Sequence, residues 1–228
     1  MPSRRQLLGG ALLCAPFASY ANSVCYGTTS RGRLEGGVAL PRRGPNFSPY
    51  SELGVTAGRT YVHSTVARIV IDAYAALERA ASGKHFVYGE TGWASGGSFK
   101  PHRTHQNGLS VDFMVPVLDA AGNSVPLPAT LGNRYGYALE FDHRGRLDRL
   151  TIDFDAIAEH LVQLAQAAHK HGAGIALVIL DPDYVRRVHE SRRGADVRQA
   201  ISFMTARPWV RHDDHYHVDF KIACKSLA

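Results

Sequence analysis

The sequence predicts an α+β fold of one domain, with a central antiparallel sheet and flanking helices. Three observations predict it. Segments 64–82 and 154–172 carry apolar residues at helical spacing. Segments 109–117, 174–180 and 210–222 read as strands, by alternation or by an unbroken apolar run. No repeat, low-complexity tract or linker divides the chain, and 228 residues with 45% hydrophobic content suit one substantial core.

Residues 1–21 read as an export signal rather than as part of the fold. Arg4 and Arg5 open a positive n-region, an apolar run covers 7–17, and Ser19-Tyr20-Ala21 offers small residues to a signal peptidase. The paired arginines suit a twin-arginine signal, although Leu7 stands where Phe is commonest; general secretion is the alternative. The run is too short to anchor in a bilayer, so no integral membrane segment is expected in the mature form. Leu13 precedes Cys14 where a lipoprotein would have a small residue, which argues against lipidation. Cleavage after Ala21 leaves a mature domain, 22–228, with Cys25 and Cys224. In an oxidising, periplasmic setting that even pair is expected as a disulfide joining the two ends, two unpaired thiols being the alternative.

Residues 22–60, rich in Gly, Pro, Ser and Arg, read as an irregular arm. The first helix, 64–82, buries Val66, Ile69, Val70, Ala73 and Leu77, with Ser64 as candidate N-cap and Gly83 as stop. A short strand at 85–89 and a glycine-rich loop at 92–101 follow. In 109–117, Leu109, Val111 and Phe113 face one way and Ser110, Asp112 and Met114 the other. The polar loop 119–136 is long enough to border a groove, and 142–146 reads as a hairpin turn. The second helix turns Ile157, Leu161, Leu164, Ala165 and Ala168 to the core. An apolar strand at 174–180 and a short helix at 182–191 lead to the last strand, 210–222. There His215, His217 and Asp219 share one face, while Tyr216, Val218 and Phe220 form the other.

Twelve histidines are many for this length, and their clustering is the main chemical signal. His105 and Asp112 lie in one segment, His215 and His217 in another. If their strands are antiparallel neighbours, Asp112 and His217 meet around one ion, and the Gln106-Asn107-Gly108 turn brings His105 back over the sheet. Two imidazoles and a carboxylate suit Zn²⁺, with water in the fourth position of a catalytic site. A structural zinc would favour a closed set rich in Cys, and neither retained Cys lies near these motifs. Removing Arg4 and Arg5 takes the formal charge from +6 to +4, mildly basic. No Lys/Arg run or aromatic-interleaved basic patch supports a nucleic-acid partner.

The arrangement His-x6-Asp then His-x-His resembles the superfamily of lysostaphin-type, D-Ala-D-Ala-type and hedgehog-type zinc peptidases. More closely, His102-x-x-His105-x6-Asp112 with His212-x-x-His215-x-His217 resembles the penicillin-insensitive murein endopeptidase family, over about residues 36–217. Ser110 departs from it, standing where a second Asp is usual. D-Ala-D-Ala dipeptidases and carboxypeptidases usually carry Glu where this chain has His212, which favours the endopeptidase. The resemblance implies a hedgehog/D-Ala-D-Ala peptidase-like fold, one catalytic Zn²⁺, and peptidoglycan as substrate, cut at D-alanyl–diaminopimelate cross-links. It implies His105, Asp112 and His217 as zinc ligands, with His102 counted beside them at the metal. It also implies His215 as base or transition-state stabiliser and His212 as a second catalytic imidazole. For His102 and His212 a supporting or exposed role is the alternative. Asp213 and Asp214 either orient an imidazole or are solvated, solvation being expected for at least one. Asp142 and His143 offer a further metal contact or a plain turn. The rival functions are a D,D-carboxypeptidase or dipeptidase on stem peptides and a non-catalytic, zinc-stabilised wall-binding module.

Overall fold

A computed structural model describes residues 22–227; the export-signal expectation and Cys14 lie outside the described residues. The chain opens with a hairpin of β1 (Val24–Thr28) and β2 (Arg31–Glu35), then β3 (Val38–Ala39), β4 (Phe47–Pro49), α1 (Glu52–Thr56) and β5 (Tyr61–Val62). Next come α2 (Ser64–Ala80), β6 (Phe86–Tyr88), β7 (Ser110–Met114), β8 (Val117–Leu118), β9 (Ser124–Val125) and a 3₁₀ segment, Leu131–Gly136. A hairpin of β10 (Arg146–Leu147) and β11 (Leu150–Ile152) precedes α3 (Phe154–Lys170). Then follow β12 (Gly174–Ile179), α4 (Pro182–Glu190), α5 (Gly194–Ala200) and β13 (His215–Lys221).

The central sheet has the order β12-β13-β7-β6-β4. It is mixed rather than wholly antiparallel, because β4 pairs with β6 in parallel. That strand comes from the segment expected to be an irregular arm. Three residues ending in Pro49 carry no readable alternation, and an edge strand tolerates the proline's missing donor.

One face of the sheet is the core. Tyr216, Val218 and Phe220 of β13 and Val111 and Phe113 of β7 are buried there beneath α2 and α3. Phe113 meets Tyr74 of α2 at 6.5 Å and His160 of α3 at 4.7 Å between ring centroids. His160 is held neutral, its pKa pushed down to about 3 by burial, and its Nδ1 pairs with the Tyr216 hydroxyl at 2.5 Å. The opposite face of β7 and β13 carries the polar side chains described below.

Local details differ from the sequence reading for physical reasons. His63 rather than Ser64 caps α2, its Nδ1 accepting from Thr65 N at 3.1 Å. Ser64 is instead buried against the arm, where its N–H donates to Ser23 Oγ at 2.8 Å and its Oγ accepts from Ser23 N at 3.0 Å. The turn at 142–146 leads into β10, and the hairpin itself reverses one turn later, around Asp148 with φ 52°. Helix α5 has no side-chain N-cap and buries only Gly194 and Val197, too little pattern to read in advance. The last strand starts at His215, and the residues before it form the wall of a groove.

Cys25 and Cys224 form a disulfide across a sequence separation of 199, tying β1 to the segment after β13. Closing so long a loop restricts the unfolded chain and stabilises the fold by about 5 kcal/mol in the chain-entropy model. Cys25→Ser/Cys224→Ser is expected to unfold at lower denaturant with an unchanged midpoint under reducing agent. Equal midpoints for oxidised wild type and variant would remove that contribution.

Candidate metal centre and active site

Strands β7 and β13 are antiparallel neighbours, with His217 opposite Asp112 and Asp219 opposite Ser110. The two-residue period therefore gathers Ser110, Asp112, His215, His217 and Asp219 on one face. His105 reaches the same place from a tight turn. Its φ of 69° is left-handed, a conformation costing a non-glycine residue on the order of 1 kcal/mol. Gly108 closes that turn at φ 76°, where a Cβ would stand 2.8 Å from His63 N.

The donor set fits a cation. His105 is fully buried and its Nδ1–H donates to Thr91 O at 3.2 Å, so Nε2 carries a lone pair. That Nε2 is buried without a hydrogen-bond partner, 3.2 Å from Asp112 Oδ1. Two acceptors facing each other in a dry site need a positive charge between them. His217 presents Nδ1 to the same oxygen at 2.9 Å while its Nε2 donates to Asp219 Oδ1 at 2.9 Å. Asp219 is anchored by Ser110 Oγ at 2.5 Å and Thr29 Oγ1 at 3.4 Å. His102 repeats the pattern: Nε2 lies 2.6 Å from Glu90 Oε2, and Nδ1 lies 3.6 Å from Asp112 Oδ2. Carboxylates behind both rings set the tautomer that leaves a lone pair for a metal. Ligand atoms of His102, His105 and Asp112 lie within 4.8 Å of one another.

Electrostatics follow from this crowding. Burial opposes charge on Asp112, but the imidazoles of His105 and His215 hold its pKa well below the usual range. Burial likewise opposes charge on His217, and Asp219 and Asp112 overcome it, raising its pKa to about 10. A dication held by Asp112 would push that value back down.

Beside the ligand set, His215 hydrogen-bonds Asp214 through Nδ1 and points Nε2 inward, 3.9 Å from Asp112 Oδ2. His212 packs 4.8 Å from the His215 ring, and its Nδ1–H donates to Val210 O at 2.9 Å. Burial first, then His215, lower the His212 pKa to about 4. Asp213 and Asp214 are both buried, which corrects the expected solvation. Asp214 orients His215. Asp213 Oδ2 accepts from Phe141 N at 2.8 Å and pairs with Arg211 at 3.1 Å. Asp142 and His143 form an exposed turn, Asp142 Oδ1 accepting from Arg144 N and Arg146 N at 2.8 Å each.

Several supporting residues had no signal in the sequence. Tyr137 donates to Asp112 Oδ2 at 3.0 Å and accepts from Glu90 N at 2.7 Å. Glu90 is itself clamped by Arg59, His102 and Tyr50, whose hydroxyl donates at 2.8 Å. Burial works against the Glu90 charge, but Arg59 and then His102 bring its pKa from 4.5 to about 2. A depressed carboxyl stabilises the fold above its unfolded pKa, and that contribution is lost as pH falls from about 4.5 towards 2. It amounts to something on the order of 3 kcal/mol. Glu90→Gln is expected to flatten the stability–pH curve across that window; an unchanged slope in acid denaturation would assign the loss to other groups.

These groups line a groove of about 490 Å³. One wall is 131–137, from the loop expected to border it, and the other is 209–212. Beyond that second wall lies an adjoining cleft of about 620 Å³, which shares Trp209, Val210, Arg211 and His212. Among the described residues no helix is long and apolar enough to cross a membrane. No curated protein matches the chain. Residues 25–227 match the family model described as penicillin-insensitive murein endopeptidase. With that match covering nearly the whole described chain, and a His/Asp cluster able to hold a metal ion at its centre, the protein belongs to the penicillin-insensitive murein endopeptidase family.

Proposed function

We propose that the chain is an exported, zinc-dependent D,D-endopeptidase that hydrolyses D-alanyl–diaminopimelate cross-links of peptidoglycan in the periplasm. On this reading residues 1–21 are the removed signal, with Arg4 and Arg5 suiting the twin-arginine system, and 22–228 the mature peptidase. The observation that carries it is the orphaned, fully buried His105 Nε2 facing Asp112 and His217. An imidazole-rich set with one carboxylate and no thiol suits zinc.

His105, Asp112 and His217 would hold the ion, with His102 beside them. When bound, zinc supplies an acidified water and polarises the scissile carbonyl. His215, its Nδ1 proton fixed on Asp214, offers Nε2 to take the attacking water's proton and return it to the leaving amine. His212, neutral near pH 7 and hydrogen-bonded only through Nδ1, offers its Nε2 lone pair to a substrate N–H. No serine nucleophile takes part, so β-lactams have nothing to acylate. The adjoining cleft beyond Trp209 favours a substrate that continues past the scissile bond over a carboxypeptidase's or dipeptidase's short stem.

Purified cross-linked muropeptides incubated with the mature protein, with and without a chelator, test this by mass spectrometry. Chelator-sensitive conversion of dimers to monomers is expected. Loss of a terminal D-Ala alone would make the enzyme a carboxypeptidase. No conversion after verified zinc loading would leave a wall-binding module.

A further inference from the structure

Four arginines line the groove, and two of them have no acidic partner among the described residues. Arg59 is paired with Glu90, and Arg211 with Asp181 and Asp213. Arg103 stands 5.4 Å over the Trp209 ring on one wall, and Arg134 projects from the other. Arg134 and Tyr135 are consecutive non-glycine residues in the left-handed region, at φ 51° and 58°. Such a pair persists only where neighbours over-determine it.

The neighbours here are specific. Asn133 Oδ1 accepts from Thr130 N at 2.8 Å and Gly136 N at 3.0 Å, and Tyr135 N donates to Thr130 O at 2.7 Å. Tyr137, three residues after Arg134, bonds Asp112 itself. The bend that presents Arg134 is therefore fastened to the carboxylate at the centre of the site. The carboxylates that line the groove, Glu90, Asp112 and Asp214, are already engaged by Arg59 and by imidazoles, which leaves Arg134 without an acidic partner and open to an anionic substrate group.

We propose that Arg134 is the carboxylate-binding specificity residue of this site, recognising a free carboxylate on the carbon that bears the leaving amine. This rests on the endopeptidase reading above. In a D-alanyl–diaminopimelate link the leaving nitrogen sits on such a carbon, whereas a lysine side-chain amine does not. The guanidinium fork matches a carboxylate in two parallel hydrogen bonds. Arg103 lies over Trp209 on the opposite wall and serves as the control for a general charge effect.

The test uses two synthetic cross-linked peptides that differ only in that carboxylate, one with meso-diaminopimelate and one with lysine as the acceptor. The zinc-loaded wild type is expected to prefer the first in kcat/KM by about tenfold or more, as loss of a charge-assisted hydrogen bond implies. Arg134→Ala is expected to bring the ratio close to one, Arg134→Lys to leave it intermediate, and Arg103→Ala to keep it. Calorimetric titration of the chelator-treated protein with each peptide gives a second readout, in which the affinity ratio should collapse with Arg134→Ala in the same way. If the wild type cleaves neither peptide, the endopeptidase reading fails and the affinity ratio alone judges Arg134. An Arg134→Ala ratio equal to wild type in both measurements, or equal losses on both peptides, would overturn the proposal.

Discussion

His215→Ala is expected to lower kcat on cross-linked muropeptides by about 10²–10⁴-fold, the usual worth of a positioned acid–base group. Metal content should stay at that of the wild type. The split follows from geometry: His215 stands 3.9 Å from Asp112 Oδ2, while His105 and His217 approach Oδ1 at 3.2 and 2.9 Å. Its own support, Asp214, touches no member of that inner set through the same bond. Steady-state kinetics with elemental analysis of the same preparation decide the matter. Normal turnover would remove His215 from the chemistry, and parallel loss of metal would make it a ligand.

Asp112→Asn is expected to weaken metal binding by more than the roughly 10–100-fold that outer hydrogen-bond partners command, and to remove activity with it. Asparagine keeps the shape, so Tyr137 retains an acceptor or gains a donor in its place. What vanishes is the one fully buried negative charge around which His102, His105, His215 and His217 are arranged. Competition with a chromophoric chelator reads the affinity. The shift in melting temperature on adding zinc gives an independent check, since an ion that binds only the folded state raises it. Stoichiometric, tight metal in Asp112→Asn would transfer the anchoring role to the imidazoles alone.

Much of this site is legible in the sequence because two strands carry it. The alternation around Asp112 and around His217 assigns each side chain a face, and that face is a property of local pattern. The pairing of His217 with Asp112 also follows once the two strands are taken as antiparallel neighbours. What the pattern hides is the scaffold behind the imidazoles. Glu90 and Arg59 arrive from loops, and Tyr137 from a bend with two left-handed residues; no period marks them. Asp219 shares the face of His217 in the sequence, but its role needs the Nε2 contact to be seen. The departure at Ser110 also becomes intelligible: its hydroxyl bonds Asp219, so the position belongs to the support of His217. In the fold, the parallel edge strand β4 and the helix α5 were hidden for the same reason, being short and set by distant partners.

Strand β13 lies between β12 and β7, with hydrogen bonds on both sides and Tyr216, Val218 and Phe220 locked in the core. His215 and His217, with Asp112 on the neighbouring β7, therefore sit in the most protected part of the sheet, while His105 and His212 join them from adjoining turns. Local fraying has little access to them. On heating, catalytic competence should persist until the whole molecule melts, so that the inactivation and unfolding curves coincide instead of activity failing first. Tuning by partners or by the cell-wall environment would then have to act at the rim, where the loops that shape substrate entry remain free to vary.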